Sequence, residues 1–193
     1  MTGVKTSWRQ LLGEIEACNK CPLRAGCKNV VPGEGYPLAD IMLIGEGPGQ
    51  EEDRTGRPFV GPAGELLTKM VHGIGMERTE LYICNVVKCR PPGNRTPTPE
   101  EAEACKPFLR AQFALVRPKI ILLLGTTAGR ATIDPGYRVT RDRGKWIYRK
   151  GVWMMGTYHP SALLRDETLK RPAWDDFREL RRKLREIQSA GEE

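Results

Sequence analysis

Three groups of residues in this chain have the types and spacing to do chemistry. The first is sulfur. Cys18 and Cys21 form a C-x-x-C pair, Cys89 and Cys105 follow far downstream, and Cys27 and Cys84 are left over. Thiolates are soft ligands, and tetrahedral sets of them take zinc or iron–sulfur clusters. A zinc ribbon would repeat the close pair, which does not happen here. Four thiolates drawn from distant segments suit an iron–sulfur cube; spacing also leaves open a zinc ion, no metal at all, or Cys27 standing in for one of the four. Cys84 lies within an apolar run, where a free thiol behaves as a small hydrophobe.

The second group is the stretch GEGPGQEEDRTGRPFVG, residues 45 to 61, directly behind the apolar run IMLI. A glycine-rich turn after a strand often cradles phosphate, yet the lysine of a phosphate loop is missing. Gly45, Gly47 and Gly49 allow close approach of backbone to a ligand. The same stretch carries the acids Glu46, Glu51, Glu52 and Asp53 and ends near Phe59. The third group is polar residues closing apolar runs: Asn85 in LYICNVV and His159 in GTYHPSALLR. Read alone, Asn85 is a strand-end cap and His159 a turn residue ahead of proline. His72 sits between apolar helix positions and reads as structural.

These residues need elements to position them. Ser7 to Ala17 reads as a helix delivering the first cysteines, residues 41 to 45 as a buried strand, and 62 to 74 as a helix with apolar Leu66, Leu67, Met70 and Val71. Strands follow at 81 to 87 and 119 to 125. The helix beginning TPEEAEAC takes Thr98 as N-cap and Pro99 at its first position. TTAGRATI is a short helix, GKWIYRKGVWMMGTYH a hairpin about Lys150-Gly151, and 172 to 188 a last amphipathic helix. The alternation predicts a single α/β domain over residues 1–193, three layers α/β/α, with a central, mostly parallel sheet of about four strands. Ligands of such sheets bind beyond the carboxyl ends of the strands. The loops 45 to 61, 88 to 98 and 158 to 165 each follow a strand and should converge on one crevice.

The 193 residues carry 31 Lys and Arg against 24 Asp and Glu, a net +7 that favours a polyanionic partner. Basic residues gather at 138 to 150, with Trp146 and Tyr148 interleaved, and at 178 to 186; the first is the better candidate for contacts to a nucleic-acid backbone, the second a solvated helix face. No apolar run approaches a membrane span and the N-terminus lacks the apolar core of a secretory signal, so the chain reads as cytoplasmic and without disulfides. Nothing in it demands a dimer, and a monomer is expected.

Taken together, GEGPGQEEDRTGRPFVGPAGELL, CNVVKCRPPGNRTPTPEEAEAC and TYHPSALLR resemble the family-4 uracil-DNA glycosylases, iron–sulfur enzymes of bacteria and archaea, in order and spacing from Cys18 to Arg165. The resemblance implies a glycosylase that flips uracil out of DNA, hydrolyses its N-glycosidic bond and leaves an abasic site for base excision repair. It implies a [4Fe–4S] cluster on Cys18, Cys21, Cys89 and Cys105, away from the bond being cut. It makes His159 the donor to uracil O2, Asn85 the reader of the base edge, Phe59 the ring that stacks on the base, and Glu46 the residue that handles water. Glu52 is the second choice for that last role. Gly47 stands where the best-known uracil glycosylases carry an aspartate, leaving one carboxylate displaced by a residue. HPSALLR is expected in the minor groove, with Ser161 on a phosphate, Leu163 wedged into the vacated stack and Arg165 on the backbone; Arg95 is expected on a phosphate as well. A self-crosslinking uracil-DNA binding relative would carry an added basic loop with a histidine after the third cysteine, and KCRPPGNRTPTP has neither. A non-enzymatic iron–sulfur protein acting in DNA binding or redox chemistry would leave Glu46, Phe59, Asn85 and His159 idle.

Overall fold

Strand side chains alternate between the two faces of a sheet, and here both faces are covered. In the computed structural model, which describes residues 7–190, β1 (Glu34–Gly35), β2 (Ile41–Gly45), β3 (Tyr82–Asn85), β4 (Ile120–Leu124), β5 (Ile147–Arg149) and β6 (Val152–Thr157) form one sheet in the order β1-β3-β2-β4-β6-β5. Helices α1 (Trp8–Glu16), α2 (Leu23–Gly26), α3 (Gln50–Thr55), α4 (Pro62–Gly73), α5 (Pro99–Val116), α6 (Thr126–Thr132), α7 (Val139–Asp142), α8 (Pro160–Arg165) and α9 (Lys170–Ala190) surround it. Met42, Ile44, Ile121 and Leu123 pack with α1 and α5 through Leu11, Ile15, Phe108 and Leu109. Their neighbours Ile41, Leu43, Ile120 and Leu122 pack on the other face with Leu67 and Val71 of α4 and Phe177, Leu180 and Leu184 of α9. Every residue of β2 and β4 is buried, as strands sandwiched between helices must be. The three-layer architecture expected from the sequence is therefore present.

The expected four strands are the parallel ones, β3-β2-β4-β6. Two short antiparallel strands add to the edges, making six. β5 is the first arm of the hairpin read at Lys150-Gly151, whose φ values of 51° and 83° are those a two-residue primed turn requires. β1 is only two residues long and shows no apolar pattern, so nothing in the sequence announced it. Thr98 caps α5 as expected: its hydroxyl accepts from Glu101 N at 3.2 Å while Glu101 Oε2 accepts from Thr98 N at 2.8 Å. No helix among the described residues is long and apolar enough to cross a membrane.

Candidate active site

The carboxyl ends of β2, β3, β4 and β6 open onto one cleft of about 930 Å³, lined among others by Glu46, Gly47, Phe59, Asn85, Thr127, His159 and Arg165. Asn85 closes β3 and pairs in parallel register with Gly45 at the end of β2. It is 1% exposed, and its side-chain Oδ1 has no hydrogen-bond partner. A Cβ on Gly45 would lie 2.4 Å from that oxygen and 2.5 Å from Phe59 Cζ. Gly45, Asn85 and Phe59 thus form one box whose space exists only because residue 45 has no side chain. A buried unpaired acceptor is costly and points to a ligand that satisfies it.

The loop after β2 is more ordered than its glycines suggest. It contains α3, with acids in its first turn and Gly56 in left-handed conformation closing it. Glu52 is buried, and its carboxylate accepts from Val60 N and Gly61 N, both at 2.9 Å, and from Gly49 N at 3.1 Å. Both oxygens accept from backbone donors, so Glu52 staples the loop closed while also lining the cleft. Asp53 does similar work, accepting from Lys28 N at 2.8 Å. Phe59 adopts a left-handed φ of 52°, a strained choice for an aromatic residue, and its carbonyl is held by Arg78 Nη1 at 2.9 Å. Gly64 makes room for that turn, since a Cβ there would fall 1.9 Å from the Phe59 carbonyl oxygen. The Phe59 ring lies 5.6 Å from the His159 ring, centroid to centroid.

His159 follows β6 and is the N-cap of α8. Its Nδ1 accepts from the backbone N–H of Ser161 at 3.2 Å and stands 2.9 Å from the Ser161 hydroxyl. A backbone N–H can only donate, so Nδ1 carries no proton and the neutral ring bears its hydrogen on Nε2. Burial, and then the positive charge of Arg165, hold the imidazole pKa down to about 4, with Glu52 pulling weakly the other way. At neutral pH the ring is an uncharged N–H donor. Gly125 at the end of β4 permits this placement: its φ is +91°, and a Cβ there would come 3.1 Å from His159 Cβ.

Glu46 is half-buried on the cleft wall and accepts a hydrogen bond from the Thr127 hydroxyl at the start of α6. Thr127, Gly125 and Leu164 are site residues that sequence reasoning missed. Two of the four residues predicted on DNA need revision. Leu163 is 1% exposed and packs in the core under α8, so it cannot wedge into a base stack; its neighbour Leu164, 49% exposed, lines the cleft instead. Arg95 lines the cleft, but its guanidinium grips Glu101 at 2.7 and 2.8 Å. It anchors the loop after β3 to the start of α5 and is not a free cation. Ser161 and Arg165 lie at the cleft as expected, with Ser161 also orienting His159. None of residues 138–150 lines the cleft; Arg141 pairs with Asp142 and Arg143 with Asp176.

A second, small cavity is lined by Cys18, Cys21, Cys89 and Cys105 together with Ile15, Val87, Lys88 and Phe108. Cys27 does not line it, and its thiol sits 3.6 Å from the Arg24 carbonyl. Burial pushes the Cys89 thiol up, and its neighbours Cys27, Cys105 and Cys21 push it further. Burial likewise raises Cys105, with Lys88 opposing and Cys21 and Cys18 adding to the rise. Cys84 lies buried in β3, as its apolar context suggested.

An unpartnered amide, a neutral imidazole, an aromatic ring and a carboxylate gather at the carboxyl edge of a sheet covered on both faces, a set suited to holding a planar hydrogen-bonding ring. The sequence profile of the Uracil DNA glycosylase superfamily matches residues 32–183. The chain is 48% identical to a type-4 uracil-DNA glycosylase of Thermotoga maritima, over 84% of this chain and 87% of that one. It is 44% identical to those of Sulfurisphaera tokodaii, over 91% and 84% of the two chains, and of Pyrobaculum aerophilum, over 81% and 84%. The chain belongs to the uracil DNA glycosylase superfamily, on its type-4 branch.

Proposed function

We propose that this protein is a uracil-DNA glycosylase that extrudes uracil from DNA, hydrolyses its N-glycosidic bond and leaves an abasic site for base excision repair. The unpartnered Oδ1 of Asn85 carries the reading. It accepts uracil N3–H while the amide NH2 donates to O4; cytosine reverses both polarities. Phe59 stacks on the extruded ring. As the bond between N1 and C1′ breaks, the electron pair leaves with uracil and charge gathers at O2, where the Nε2–H of His159 stabilises it without giving up its proton. Water adds to C1′, its proton passing toward Glu46, whose carboxylate also offsets the positive charge on the sugar. Arg165 and Ser161 take backbone phosphates, and Leu164 fills the gap left in the stack.

Cys18, Cys21, Cys89 and Cys105 would hold a [4Fe–4S] cluster. Four thiols that share one cavity form a soft donor set of the kind an iron–sulfur core takes. Four thiols drawn from separate segments, without the repeated close pair of a zinc ribbon, suit a polynuclear group. When bound, the cluster would tie α1, the loop after β3 and α5 together, apart from the bond being cut.

The direct test is to incubate the purified protein, without any electron donor, with a single-stranded oligonucleotide containing one uracil and to assay free uracil by mass spectrometry. Uracil release, with no thymine released from a thymine control, is expected. No release from iron-loaded protein would overturn the proposal.

A further inference from the structure

Lys88 is among the largest fully buried side chains of the described residues, at 1% exposure, and nothing in the reaction above uses it. Its ammonium donates to the Asn85 carbonyl at 2.7 Å and to Gln112 Oε1 at 2.6 Å, and both acceptors are neutral. Gln112 is fixed in turn, its Nε2 donating to Pro32 O at 2.7 Å and to the Tyr82 hydroxyl at 2.9 Å. Among the described residues no carboxylate pairs with Lys88. A buried charge without a counter-ion carries a large desolvation cost, and an apolar residue of the same length would avoid it.

The cysteine cavity lies on the other side, with Lys88 in its wall beside all four candidate ligands. Four thiolates around an iron–sulfur core leave a net negative charge, which is the counter-ion the ammonium otherwise lacks. The same ammonium grips the backbone of the residue whose side chain faces the base.

We propose that Lys88 is the buried counter-charge of the cysteine-held cluster and the strut that joins it to the base-reading end of β3, a positioning residue that fixes Asn85 through its carbonyl. The inference rests on the [4Fe–4S] reading, and its test separates the two. Iron and sulfide content, the reduction midpoint of the cluster followed by EPR, and single-turnover uracil and cytosine release are measured on the wild-type holoenzyme and on Lys88→Met. Reduction adds negative charge, so loss of a nearby cation should move the midpoint to a more negative potential. Losing the charged hydrogen bond to Asn85 should lower kcat/KM on uracil about tenfold or more and narrow the preference over cytosine. An iron-loaded variant with wild-type potential would refute the counter-charge. A shifted potential with wild-type uracil kinetics would refute the strut. Should Lys88→Met fail to fold, Gln112→Glu keeps the lysine and sets a carboxylate against it; the same negative shift is expected, and an unchanged potential would overturn the counter-charge. A folded, active wild-type protein free of iron would defeat the cluster and the counter-charge together, leaving the strut to be decided by the kinetics.

Discussion

Replacing Asn85 by aspartate keeps the shape of the side chain and changes only what its two ends can donate and accept. Asn85 is 1% exposed with an open Oδ1, so water cannot rescue a mismatched partner. An unsatisfied buried group costs about 1–3 kcal/mol. Cytosine mismatches both ends of the amide, for about 2–6 kcal/mol in all, and at about 1.4 kcal/mol per tenfold the wild-type preference for uracil should lie between about 30-fold and 10⁴-fold from this residue alone. An ionised aspartate offers no donor to uracil O4; a protonated one matches the N3 and N4 edge of cytosine. In Asn85→Asp the uracil rate should therefore fall and the uracil-to-cytosine ratio should collapse by that same factor. Single-turnover kinetics on two otherwise identical single-stranded oligonucleotides give the ratio directly, with circular dichroism to confirm folding. A folded variant that keeps the wild-type ratio would refute the assignment of Asn85 as reader, whatever its absolute rate.

Adjacent leucines should behave oppositely. Leu163→Ala, at 1% exposure, should cost about 2–5 kcal/mol in denaturant unfolding. Leu164→Ala, at 49% exposure, should leave stability within about 0.5 kcal/mol yet slow uracil release from duplex DNA more than from single strands; equal rates on duplex would exclude the wedge. Nitrogen NMR of His159 should show a neutral ring protonated on Nε2 and a midpoint near 4. Because that value lies below the unfolded one of about 6.5, its contribution to stability, at most about 3 kcal/mol, is complete above pH 6.5 and lost as pH falls toward 4; a midpoint near 6.5 would contradict the buried geometry. DNA affinity should fall steeply with added salt as phosphate contacts release counterions, and a flat response would mean that the basic residues do not touch DNA.

The layers were legible because β2 and β4 are apolar on every residue and each is followed by turn chemistry. The hairpin was legible because Lys150-Gly151 supplies the backbone its turn demands. Asn85 and His159 stood out for being polar at the ends of such runs. What stayed hidden depends on partners distant in sequence. Glu52 looks like any loop acid until Val60 and Gly61 fold back onto it. Thr127 lies 81 residues from the Glu46 it holds. Leu163 and Leu164 differ by one step around a helix, and only the packing of α8 on the core decides which one faces the cleft. α3 could have been read, since its acids sit in the first turn and glycines flank it, but a stretch so rich in glycine reads first as a loop built for close approach to a ligand.

The most direct measurement is cleavage of a uracil-containing oligonucleotide by wild-type protein and by His159→Ala, each iron-loaded, with alkali used to break abasic sites before a denaturing gel. Strand breaks at uracil in the wild type that fall by about 10²-fold or more in the variant, as loss of a preorganised donor should produce, are expected. Undiminished cleavage by His159→Ala would remove the leaving-group donor from the account, and a covalent, slowly migrating DNA band in place of strand breaks would contradict turnover itself.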